Sequence, residues 1–282
     1  MIPIVDTHQH LWDLSRIRLN WLTNDHPLGR DHLMDEYLCE AQGLNIVKTI
    51  YMEVDAADAS LLDEAEYVLG LCARDDNPMV GAVIGGRPAS PNFGKYVELF
   101  TGNPYIKGVR QCIHVDATPP GFCLTSEFIG GVRLLGQACL RYDICIRAAE
   151  LLDAAKLIES CPDTQFILDH CGNAIVQAED RSQWERDIAE VAKRQNVVCK
   201  MSGIVASARP GEWKPADLAP IILHCLEVFG IERVMFASDW PVCTQTATLK
   251  QWVTALRTIV IDLPEASQRQ LFGGNAERVY RV

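Results

Sequence analysis

The chain has 282 residues, 48% hydrophobic and 22% charged, with a formal net charge of −11 and a sequence pI near 5.1. Such a composition fills a sizeable core and excludes a disordered chain. The acidic balance excludes a general nucleic-acid binder, which needs a basic face for phosphate, but not a small substrate held in a local pocket. Taken in chain order, short apolar and β-branched runs predict strands at 2–8 (IPIVDTH), 46–54, 79–85, 105–112, 142–148, 164–170, 196–203 and 231–238. Amphipathic stretches between them predict helices at 60–74, 125–140, 149–160, 183–195 and 215–229. Strands this apolar, without clean alternation, read as parallel strands covered on both faces.

Eight such strands separated by helical crossovers predict a closed (β/α)8 TIM barrel, with residues 1–282 as one domain. An open doubly wound sheet is the alternative. It usually carries a glycine-rich phosphate turn after its first strand, and here that place reads DTHQHLWD. The 11 cysteines are odd in number, scattered, and contain no C-x-x-C pair. They predict a reduced, cytoplasmic protein rather than a disulfide scaffold. The start MIPIVDTHQH lacks the basic-then-apolar pattern of a signal peptide. No apolar run approaches the roughly 18 residues of a membrane span, so no membrane partner is expected.

Barrel enzymes place their chemistry at the C-terminal ends of the strands. The first strand end offers His8 and His10, spaced two apart so that both imidazoles can face one mouth. The second offers Glu53, read as a substrate contact or a rim ion pair. The fourth offers Arg110 and the fifth Arg147, whose planar forks suit a carboxylate or hydroxyls. The sixth ends in Asp169-His170 and the eighth in ASDWPV, which places Asp239 at its terminus and Trp240 beside it as a pocket wall. Asp6 and Asp169 read as partners that orient imidazoles, and Lys200 as a buried pairing residue.

That order resembles the amidohydrolase superfamily. DTHQHLW, KGVR, LDHCGN, CKMSG and ASDWPV look most like its amidohydrolase-2 branch, which contains sugar-acid lactonases and 2-pyrone-4,6-dicarboxylate lactonase. The likeness runs from residue 5 to about 280. It implies a hydrolase that opens a cyclic ester, a sugar-acid or carboxylated lactone being the small-molecule partner. Asp239 would be the general base, with His8, His10 and His170 polarising the carbonyl. Arg110, Arg147, Glu53 and Trp240 would hold the substrate.

Two departures bear on the cofactor. Binuclear members carry a lysine or glutamate at the end of strand four, and here Arg110 stands there. Mononuclear members usually add a histidine after strand five, and YDICIRAAE has none. The expectation is therefore either no cofactor or one divalent metal such as zinc on His8, His10 and Asp239. Lactone isomerisation, decarboxylation, or sugar-acid binding without turnover are the alternatives. The sequence does not give the oligomeric state.

Overall fold

The computed structural model describes residues 1–23 and 25–282. Eight strands form one parallel sheet in chain order: β1 (Ile4–Gln9), β2 (Ile46–Met52), β3 (Met79–Gly85), β4 (Ile106–Cys112), β5 (Arg141–Cys145), β6 (Phe166–Leu168), β7 (Val197–Met201) and β8 (Val234–Phe236). The ring closes between β8 and β1. There the Asp239 N–H donates to the His8 carbonyl at 2.9 Å, and the His10 N–H donates to the Trp240 carbonyl at 2.8 Å. The chain therefore forms the (β/α)8 barrel that the strand count predicts.

The expected helices are present as α2 (Leu61–Cys72), α4 (Ser126–Gln137), α5 (Leu151–Ser160), α6 (Ser182–Ala192) and α7 (Pro215–Phe229). Three further outer helices are α1 (Met34–Glu40), α3 (Phe93–Glu98) and α8 (Leu249–Ile259). The last is opened by a capping box in which Thr248 and Gln251 satisfy each other's backbone N–H groups. β6 and β8 are shorter than expected. Their chain leaves the ladder just before His170 (φ 57°) and Asp239 (φ 59°), both in the left-handed region. A non-glycine residue there costs energy, and such residues cluster where side chains must be aimed.

The main core lies between the sheet and the helices. A smaller one fills the barrel interior with Ile50, Met52, Val83, Ile167, Val198 and Met235. A terminal helix, α9 (Asn275–Tyr280), brings Val279 and Tyr280 up under this layer. It is held at the strand starts, where Arg141 Nε donates to the Val279 carbonyl at 2.8 Å. This end of the barrel interior is therefore filled by packed side chains. All 11 cysteines are free thiols. Among the described residues, no helix is long and apolar enough to cross a membrane.

Candidate active site

The first strand delivers His8 and His10 to the C-terminal mouth, where their Nε2 atoms face each other at 3.1 Å. Asp239 comes to the same point, its Oδ1 lying 3.6 Å from His8 Nε2 and 3.4 Å from His10 Nε2. His170 lies beside them, with its ring centroid 4.6 Å from that of His8. Gly203 (φ 69°) makes room for it, because a Cβ there would stand 2.5 Å from the His170 ring. His170 Nδ1 is bonded to Ser202 Oγ at 2.9 Å, leaving Nε2 for the cavity.

The ring protons can be placed. His10 Nδ1 lies 3.0 Å from the Met52 carbonyl, which only accepts, so Nδ1 carries a proton, and the neutral ring then presents a lone pair at Nε2. His8 Nε2 lies 3.3 Å from Arg110 Nη1, which only donates, so it too carries a lone pair. Two lone pairs and a carboxylate oxygen converge. Donors around one tetrahedral zinc stand about 3.3–3.4 Å apart, from Zn–N lengths of about 2.0–2.1 Å. The observed separations of 3.1, 3.4 and 3.6 Å bracket that edge. His8, His170 and Asp239 also offer ligand atoms within 4.8 Å of one another. The donor set fits one divalent ion.

Behind the histidines lies a buried charge network. Lys200, fully buried on β7, contacts Asp143 Oδ1 at 2.5 Å and Asp169 Oδ1 at 3.1 Å. Arg110 Nη1 contacts Asp169 Oδ2 at 3.0 Å, and its Nε contacts Glu53 Oε1 at 2.7 Å. Burial opposes the charge on Asp169, but Lys200, His8 and Arg110 hold its carboxyl well below the usual range. Asp143 goes the other way: burial pushes it up to about 6 against the pull of Lys200. Burial pushes the His8 imidazole well below the ordinary histidine range, against the attraction of Asp169, so it is neutral at pH 7. Neutral imidazole is the form that ligates a metal.

Glu64, reaching in from α2, accepts bonds from Tyr51 Oη and the Val54 N–H but meets no cation. Burial first, and the nearby Glu53 charge second, push its carboxyl up to about 8. It therefore keeps a proton in the folded state that the unfolded chain has released. Stability is expected to decline as pH rises from the ordinary 4.5 toward 8. Glu64→Gln should flatten that decline in urea titrations run at several pH values. Parallel pH profiles for the two proteins would show that Glu64 is ionised when folded.

A cavity of about 420 Å³ opens above the constellation, with His10, Arg110, His170 and Asp239 in its wall. His8 stands behind it, fully buried. Three expected substrate contacts are not among the residues lining this cavity. Trp240 is fully buried and packs on Tyr37, with ring centroids 5.4 Å apart, so it does not wall the cavity. Glu53 is fully buried and committed to Arg110. Arg147 is not in the lining; it pairs with Glu150 at 2.5 Å and donates to the Val115 carbonyl at 2.9 Å, bracing the loop that carries His114 and Val115 into the wall. Arg110 reaches the cavity, but its Nε and Nη2 go to Glu53 and its Nη1 to Asp169.

The residues not anticipated are Asp143, Ser202, Asp55, Asn173, Ser207 and Gln245. Asp143 sits on β5, where an acid inside an apolar strand signals a buried partner. Ser202 and Asn173 lie within CKMSG and LDHCGN, motifs that mark the resemblance without giving either residue a role, and Asp55, Ser207 and Gln245 come from loops.

A family model described as Amidohydrolase matches residues 5–282. An L-fucono-1,5-lactonase of Burkholderia multivorans is 28% identical over 295 residues, covering 99% of this chain and 96% of its own. An L-rhamnono-gamma-lactonase of Scheffersomyces stipitis is 22% identical over 335 residues, covering 99% and 98%. A crystal structure of an amidohydrolase from Burkholderia multivorans with bound zinc is similar at a TM-score of 0.88 and 25% identity, covering 99% of both chains. With the family match spanning almost the whole sequence, the chain belongs to the amidohydrolase family.

Proposed function

We propose that the protein hydrolyses a neutral, hydroxyl-bearing sugar lactone at this mouth. The observation that carries this is the meeting of Asp239 with His10 and His170 on the cavity wall and His8 directly behind it. The names of the lactonase relatives support the bond type. The charge of the cavity supports the substrate class. Among the described lining residues Arg110 alone carries a fixed positive charge, and its fork is occupied by Glu53 and Asp169. A carboxylated lactone would meet no free cation there, and would meet Asp55 and Asp239. Sugar hydroxyls would meet Asn173, Ser207 and Gln245 against the apolar wall of Trp12 and Trp21.

In this reaction Asp239 takes a proton from water as the water oxygen attacks the lactone carbonyl. His170 donates from its free ring nitrogen to the carbonyl oxygen as charge builds. The intermediate collapses by breaking the ring C–O bond. The leaving oxygen takes the proton back from Asp239, giving the open hydroxy acid. His8, His10 and Asp239, with His170 beside them, would hold a divalent ion. When bound, such an ion supplies Lewis-acid polarisation and makes water more acidic.

A pH-indicator assay over neutral aldonolactones and a pyrone dicarboxylate, corrected for spontaneous opening, tests the substrate class. Acid release from the neutral lactones is expected. Release from the dicarboxylate alone, or from none, would reject the proposal. The metal is tested separately. Purified protein should contain close to one equivalent of zinc, and dialysis against chelator should abolish turnover until zinc is restored. Full activity at negligible metal content would assign the histidines to direct hydrogen bonding of the substrate.

A further inference from the structure

The strand that carries Arg110 and the next one, β4 and β5, end in thiols that the hydrolytic reading does not use. Cys112 on β4 and Cys145 on β5 are direct partners in the parallel ladder. His114, two residues past Cys112, turns back so that its Nδ1 lies 3.1 Å from Cys145 Sγ. Cys112, His114 and Cys145 each offer a ligand atom within 4.8 Å of the other two, and all three line the cavity. Cys145 is buried, Cys112 half-buried and His114 exposed, so the group opens toward the mouth.

We propose that Cys112, His114 and Cys145 form a second metal site, for a thiophilic divalent ion such as zinc or cadmium, in the wall of the substrate cavity. Two sulfurs and one imidazole are a soft donor set, unlike the nitrogen and oxygen set of His8, His10 and Asp239. Binding releases the two thiol protons to solvent, and the two thiolates then neutralise the ion. No net charge is added beside Arg110. The Cys112 thiol now donates to Glu53 Oε1 at 3.3 Å, and would give up that bond on binding. Three protein ligands leave a fourth position open to the cavity. A thiophilic ion would therefore occupy space the substrate needs. Cys145 also lies within 4.8 Å of a ligand atom of His170, so the two sites adjoin.

Cadmium is the probe, because thiolate-bound cadmium absorbs in the ultraviolet and a nitrogen–oxygen site does not. The test is independent of the lactone assay. Zinc-loaded wild-type protein, titrated with cadmium, should show this absorption saturating at one equivalent with the amplitude of two thiolates. Cys112→Ser combined with Cys145→Ser should lose it. His114→Ala, a change at an exposed side chain that leaves folding intact, should weaken cadmium binding by at least about tenfold. Cys225→Ser should leave the absorption unchanged. Absorption kept in the double variant, or unaltered affinity in His114→Ala, would overturn the proposal. Loss in Cys225→Ser would also overturn it, placing the ion in the buried Cys171, Cys199 and Cys225 group instead.

Discussion

Asp239→Asn is expected to lower kcat on a neutral sugar lactone by roughly 10²–10⁴-fold, the range removed with a positioned general base. The substitution suits the backbone. Asp239 sits at φ 59°, and asparagine is one of the residues that tolerate the left-handed region. Its amide keeps the size of the carboxylate, so the wall of the cavity keeps its shape. What is lost is the charge that faces His8 and His10 and the ability to take a proton from water. Circular dichroism should show a folded variant. A variant that retained wild-type kcat would remove Asp239 from the role of base. Zinc content of the same preparation separates its two duties. Full zinc with low kcat assigns the loss to proton transfer, whereas absent zinc assigns it to ligation.

Lys200→Met should be the most destabilising single change in the barrel interior. Its ammonium is fully buried and is shared by Asp143 and Asp169. Removing one partner from a buried ionic network leaves uncompensated charge and costs about 3–5 kcal/mol. Asp169 bears most of that cost. Lys200 is the strongest of the attractions that keep it ionised against burial, and Arg110 would remain as its cation. Asp143, already pushed up to about 6, can take a proton instead. Urea unfolding at pH 7 reads the effect as a drop in the midpoint at constant slope. Adding Asp143→Asn should change the variant little, because that group is already neutral in it. A loss below about 1 kcal/mol, the scale of an exposed pair, would mean that water reaches the network.

How much of this was legible in the sequence differs by residue. The barrel followed from the apolar runs, since parallel strands buried on both faces cannot hide their composition. Helix α8 had a local signal, the Thr248–Gln251 capping box, that the amphipathic reading passed over. The ends of β6 and β8 could not be read, because the left-handed turns at His170 and Asp239 are imposed by tertiary contacts rather than by propensity. Histidine spacing placed His8 and His10 together, and the strand-end rule brought His170 and Asp239 to them. Arginine identity, by contrast, does not say whom the arginine serves. Arg147 braces carbonyls of a loop and Arg110 is saturated by carboxylates from β2 and the end of β6. Trp240 follows Asp239 in sequence yet packs on Tyr37 of α1, the chain having turned out of the strand at Asp239 (φ 59°).

The seam between β8 and β1 has one more consequence. His8 and His10 stand on one side of it and Asp239 on the other, joined by the bond from the Asp239 N–H to the His8 carbonyl. Any cut of the polypeptide between β1 and β8 leaves the histidine pair on one fragment and the carboxylate on its complement. With the roles proposed for these residues, neither half would serve as a lesser enzyme of the same kind. Two fragments expressed together would regain turnover only by docking into a complete ring, which makes this chemistry a built-in reporter of reassembly.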